Sequence, residues 1–106
     1  MDAVAGTAEM TDLRKLAKDQ DCMLRLPGVC NHNPETTVLA HIRKQWFGAS
    51  SKPPDICGVW ACSSCHDAID GRVALDEETE NYLLRYVLEA LMRQLHWYVK
   101  NDILKW

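Results

Sequence analysis

The sequence predicts a small α+β domain. Two short strands and a short helix form a cysteine-bearing module at residues 22–72, with a short helix before it and a long amphipathic helix after it at residues 76–104. Three observations predict this. Four of the five cysteines fall in two close pairs, Cys22 with Cys30 and Cys62 with Cys65. Two short β-branched or apolar runs, Thr36 to Ile42 and Ile56 to Ala61, precede the second pair. Leucines then recur at helical spacing from Leu84 onward.

The elements follow in chain order. Residues 1–10 are small and polar without periodicity and read as a flexible tail, leaving 11–106 as one domain. Thr11 suits the cap of a short helix running through Lys18, with Leu13, Leu16 and Ala17 on one side. Pro27-Gly28 marks a turn between Cys22 and Cys30, and Asn31 to Pro34 marks another. Thr36 to Ile42 is the first strand. Gly48 to Pro54 is a loop, and Ile56 to Ala61 is the partner strand, with Cys57 as a buried strand residue. Ser63 or Ser64 caps a short helix that carries Cys65, His66 and Asp70 and stops at Gly71.

The last third is one long helix. Asp76 is a good N-cap, and Glu77, Glu78 and Glu80 sit at the positive end of the helix dipole. Leu84, Leu88, Leu91, Leu95 and Tyr98 then form a stripe. The stripe serves either as the cover of the small module or as a homodimer seam. It spans only two heptads, fewer than a coiled coil needs, which favours the cover.

Length and composition bound the function. A chain of 106 residues holds one thin core, which a staple would help. No apolar run approaches the roughly 20 residues that cross a bilayer, so no membrane partner is expected. The start of the chain lacks the pattern of a secretion signal, which places the protein in a reducing cytoplasm. There cysteines serve metals or catalysis more often than disulfides. The net charge of −3 does not suggest a nucleic-acid binder. Its distribution is uneven, though: seven basic residues face four acidic ones from Thr11 to Pro54, against four and six from Val73 to Trp106. The polarity suits a phosphate-facing side and equally an ordinary solvated surface.

The cysteines point to zinc. Structural zinc takes four tetrahedral ligands, commonly thiolates on tight turns. Two pairs about thirty residues apart can close around one ion, so that metal binding becomes folding energy. Cys22 and Cys30 lie farther apart than the usual two to four intervening residues, so the C-x-x-C of Cys62 and Cys65 is the sharper half. A thioredoxin-like reading of that C-x-x-C would need a βαβ context, which is absent.

Among the four histidines, His66 follows Cys65 directly, and Asp70 lies four residues along the same helix. Positions i and i+4 share a helix face, so an imidazole and a carboxylate can address one cation. His41 ends the first β-type run and could face the same spot. His32, beside Cys30, reads as solvated, and His96 as a packing or surface residue. Trp46, Trp60, Trp97 and Trp106 read mostly as core or interface, with base stacking an option for Trp46.

The runs "TTVLAHIR", "KPPD" and "ACSSCHDAID" resemble the HNH, or ββα-metal, nuclease superfamily. With "LPGVCNHNPETTVLAHIR" they resemble especially the small phage and prophage nucleases of the YbcO type. The resemblance covers Leu13 to Arg72 well and the C-terminal helix poorly. It implies a zinc-stapled ββα-metal module with Cys22, Cys30, Cys62 and Cys65 as structural zinc ligands. It implies His41 as a general base that takes a proton from water so that hydroxide attacks phosphorus. It makes His66 the metal-binding histidine and Asp70 a second helical ligand of a catalytic divalent cation, usually Mg2+. DNA is the implied partner and a bacterial host cytoplasm the implied location.

The residue types suit that chemistry. Histidine starts near the pKa a base needs at neutral pH, and a phosphodiester also needs a Lewis acid. Arg43 and Lys44, just past His41, would hold flanking phosphates. Two positions depart from the family pattern. Ala40 stands where many relatives carry Asp or His, and no asparagine precedes Cys62 at the expected distance. Asp55 is the nearest polar residue available to orient His41 or ligate metal. The expectation is therefore a metal-dependent DNA endonuclease. The alternatives are a zinc-stabilised nucleic-acid-binding module without catalysis and a protein-binding adaptor that uses the C-terminal helix.

Overall fold

The computed structural model describes residues 12–42 and 54–104. The tail at 1–10, Thr11, Arg43, Lys44, Trp46 and Trp106 lie outside the described residues. The fold is α+β, as the sequence predicts: an antiparallel strand pair, a four-cysteine cluster and a long C-terminal helix.

Helix α1, Leu13–Ala17, is capped by Asp12, whose carboxylate accepts from the N–H groups of Arg14 and Lys15. The sequence reading puts the cap at Thr11 and the end at Lys18. The carboxylate one residue later satisfies two orphan donors, and Lys18 is already extended. α1 packs against strand β1, Val38–Ala40. The strand is shorter than the expected Thr36 to Ile42. Asn33 caps a 3-10 turn at Pro34–Thr36, which uses up the first part of that run.

Strand β2, Val59–Ala61, pairs with β1 in the register Val38↔Ala61, Leu39↔Trp60 and Ala40↔Val59. It too is shorter than expected. Asp55–Cys57 forms a 3-10 turn, so Cys57 is half-buried on a turn and not a buried strand residue. Gly58 packs tightly beside β1: a Cβ there would come within 2.8 Å of Leu39 Cγ.

Helix α2, Ser63–Ile69, is capped by Cys62, whose sulfur accepts from the Cys65 N–H. Neither Ser63 nor Ser64 is the cap, because both hydroxyls engage Asn31. Helix α3, Glu77–Asn81, starts at Asp76, whose carboxylate accepts from the Thr79 N–H as a good N-cap should. The single long helix expected over 76–104 breaks at Tyr82, and α4 runs Leu83–Lys100.

The buried face of α4 is Leu83, Val87, Ala90, Gln94 and Tyr98. Of the expected stripe, Leu91, Leu95 and Tyr98 meet the core, while Leu84 and Leu88 are each 57% exposed. The physical reason lies in β2. Its Trp60 packs edge-on against Trp97 and Tyr98, with centroids at 5.1 and 5.8 Å. Gln94 Oε1 accepts from the Trp60 N–H at 2.7 Å, and Gln94 Nε2 donates to the Gly58 carbonyl at 2.7 Å. These bonds satisfy strand groups that would otherwise be buried unpaired, and they fix the helix rotation. No helix among the described residues is long and apolar enough to cross a membrane.

Candidate metal centre and active-site cleft

The first knuckle hangs on β2. The Met23 N–H donates to the Trp60 carbonyl at 2.8 Å, and Arg93 donates to the Met23 carbonyl from α4. Between the cysteines the chain turns at Pro27-Gly28, with Gly28 at φ 70°, a region glycine enters without strain. The second pair lies at the junction of β2 and α2. These two anchors bring Cys22, Cys30, Cys62 and Cys65 together, with all four sulfurs within 4.8 Å of one another.

The cluster is built for thiolates. Backbone N–H groups point at the sulfurs: Arg25 at Cys22, Leu26 at Cys65, and both Asn31 and Cys65 at Cys62, each at 3.4 Å. Hydrogen bonding with the Cys65 thiol holds Cys22 down to about 4. The same contact, together with burial, pushes Cys65 far up. Burial pushes Cys30 up to about 11. Ideal tetrahedral zinc, with Zn–S near 2.3 Å, spaces its sulfurs about 3.8 Å apart; Cys30 and Cys62 stand at 3.9 Å. The four-cysteine cluster is able to hold zinc.

Asn31 is a residue the sequence reading passes over. Its amide donates to Thr36, Ser63 and Ser64 hydroxyls at 3.1–3.3 Å, tying the loop after Cys30 to the start of α2. In sequence it is an ordinary turn residue, and nothing there signals the network. His32 is exposed, with Nδ1 at 3.6 Å from Cys30 Sγ. His96 is exposed on α4.

A cleft of about 590 Å³ opens between β1 and α2, lined by His41, His66, Asp70 and Arg72 over Leu39 and Ile69. Leu39 and His41 reach it from alternate positions of the strand and its end. Ala40, between them, is fully buried in the sheet. His66 Nε2 lies 3.1 Å from Asp70 Oδ2, as one helical turn allows. His41 Nε2 lies 2.7 Å from Asp55 Oδ1, and Arg14 Nε lies 3.5 Å from the same oxygen. The hydrogen bond from His41, and then the Arg14 charge, hold the Asp55 carboxyl below its ordinary value. Arg43 and Lys44 lie outside the described residues.

Among the described residues, the cysteine cluster is the one group of three or more such donors close enough to share an ion. His66 and Asp70 form a two-donor set. Two cis ligands about 2.1 Å from a cation stand about 3 Å apart, which their 3.1 Å spacing fits.

Comparison with known proteins places this architecture. Residues 11–103 match the family model described as "Putative nuclease YbcO". The chain is 44% identical over 97 residues to "Putative nuclease YbcO" of Escherichia coli (strain K12), covering 91% of this chain and 99% of that protein. "Putative nuclease ybcO" of Enterobacteria phage 82 matches with the same identity and coverage. A solved structure, "Structure of a putative bacteriophage protein from Escherichia coli str. K-12 substr. MG1655", superposes with a TM-score of 0.69 at 42% identity. That match covers 86% of this chain and 100% of the other. By family model, sequence identity and fold together, this chain belongs to the YbcO family, the one described as "Putative nuclease YbcO".

Proposed function

We propose that this protein is an HNH-type endonuclease that hydrolyses DNA phosphodiester bonds with a divalent cation, in the cytoplasm of a bacterial host. The observation that carries the reading is that His41 and His66 line one cleft, with His41 braced by Asp55. Asp55 is ionised and can only accept, so His41 Nε2–H is the donor. That tautomer leaves Nδ1 as the basic atom of the ring.

In this reading His41 Nδ1 takes a proton from water, the hydroxide attacks phosphorus, and the P–O bond to the leaving oxygen breaks. General base catalysis of this kind is worth about 10²–10⁴ in rate. His66 and Asp70 are the residues that would hold the cation. When bound, the cation supplies Lewis-acid stabilisation of the charge that develops on phosphate. Cys22, Cys30, Cys62 and Cys65 would hold zinc at the junction of β2 and α2, the helix that carries His66.

A second reading is a zinc module that binds nucleic acid without cutting it. The cleft favours it by offering His66 and Asp70 as a set of only two donors, the cysteine cluster being the one larger group among the described residues. Incubating the purified protein with supercoiled plasmid and single-stranded DNA, with magnesium, manganese or nickel, separates the two. Metal-dependent nicking supports the nuclease. DNA binding without nicking in every metal supports the second reading.

A further inference from the structure

Arg72 is the cationic side chain among the described residues lining the cleft, and the chain takes trouble to place it. Helix α2 ends at Ile69, Asp70 caps it, and Gly71 turns the chain at φ 81°. The Arg72 N–H then donates back to the Asp67 carbonyl at 2.9 Å, which pins this residue to the end of the helix. The side chain is held on one edge only. Nη1 lies 3.2 Å from Asp67 Oδ1, whereas Nη2 stands 3.9 Å from Asp70 Oδ2, too far for a hydrogen bond.

The guanidinium is therefore a planar fork gripped at one edge with donors to spare at the other. It is 66% exposed, so little solvation is lost when a ligand arrives. A phosphodiester carries one negative charge, and guanidinium geometry matches its non-bridging oxygens. Among the described lining residues, His41, His66 and the Asp70 carboxylate stand beside it, and Arg72 supplies the fixed positive charge that suits an anion.

We propose that Arg72 binds a non-bridging oxygen of the DNA phosphate seated in the cleft and orients phosphorus toward the water at His41; this rests on the nuclease reading above. Its role differs from that of a residue that merely closes the end of α2, and the two make different predictions.

The test is anisotropy of a labelled DNA oligonucleotide across a salt series, with calcium in place of magnesium. Wild type is compared with Arg72→Gln, Arg72→Lys and Asp67→Asn, each checked for zinc content and Tm. Arg72→Gln is expected to weaken binding roughly tenfold and to make the log–log salt slope shallower by about one. Arg72→Lys should keep the slope while losing part of the affinity. Asp67→Asn breaks the same ion pair from the other side and should keep the slope. Wild-type affinity and slope in Arg72→Gln would overturn the inference. So would equal losses in Arg72→Gln and Asp67→Asn that follow Tm with the slope unchanged. Absence of DNA binding by wild type would remove the nuclease reading and this inference with it, a result distinct from a failure of Arg72 alone.

Discussion

His41 and Asp55, fourteen residues apart in sequence, meet at 2.7 Å beside the cleft, the histidine 10% exposed and the carboxylate 40% exposed. The strand ends at Ala40 and the next turn begins at Asp55, so pairing β1 with β2 brings the two ends together. Asp55→Asn removes the charge that fixes the Nε2–H tautomer while keeping the shape. We expect cleavage to fall by about 10- to 100-fold, with zinc retained, as read from initial nicking rates.

The same pair has a pH signature. The folded Asp55 pKa lies below its ordinary value, chiefly through the His41 hydrogen bond. Its contribution to stability is therefore fully present above the unfolded value of about 3.9. It is lost as pH falls through the lower folded value. Because Asp55 is well exposed, the contribution is less than about 1 kcal/mol. The difference in Tm between wild type and Asp55→Asn should be constant near neutrality and shrink below that carboxylate range.

Removing the metal should unfold the module. Four sulfurs lie within 4.8 Å of one another, and their ligation by one ion would join the loop of Cys22 and Cys30 to the junction of β2 and α2. Structural zinc contributes about 10–16 kcal/mol of apparent binding energy in small peptides. A strong chelator or Cys65→Ser should abolish cooperative unfolding by circular dichroism, with one zinc per chain in the native protein. Cys57→Ser should change neither, because Cys57 lies outside the cluster.

Gly58→Ala should be costly without any backbone strain, since Gly58 has an ordinary φ of −76°. The added Cβ would meet Leu39 Cγ at 2.8 Å and Cδ1 at 2.9 Å. Leu39 is buried in the core and the clash begins at its Cγ, near the backbone, so it cannot move freely. We expect a loss of about 1–3 kcal/mol, measured by urea unfolding.

The rotation of α4 makes a sharper contrast between neighbours. Val87 is 4% exposed and Leu88 is 57% exposed. Val87→Asp should destabilise by about 3 kcal/mol or more, and Leu88→Asp should stay within about 0.5 kcal/mol. Equal effects would mean that the leucine stripe, not the Leu83–Val87–Ala90 face, meets the core.

That contrast shows where sequence reasoning runs out. Leucine dominates a hydrophobicity pattern, so the stripe from Leu84 outweighed Ala90 and Gln94. Yet Ala90 allows close approach, and Gln94 is buried because it completes the hydrogen bonds of β2. Side-chain-to-backbone bonds of this kind leave no periodic trace. The caps shifted for a similar reason: Asp12 and the Cys62 sulfur accept where Thr11 and the serines also could. The paired cysteines were readable because zinc chemistry needs those residues near turns. The grouping of His66 with Asp70 was readable because it depends only on helical spacing. Asp55 was legible as a candidate partner of His41, though their contact depends on how the strands pair; the place of Arg72 depends on how Gly71 turns the chain, which local pattern does not reveal.

The central claim is that the cleft of His41 and His66 is a hydrolytic centre. Its most direct test is the rate of plasmid nicking in magnesium by wild type and by His41→Ala, each carrying one zinc and unfolding at a similar temperature. The account predicts nicking by wild type and a loss of about 10²-fold or more in the variant. Equal nicking by both proteins would contradict it.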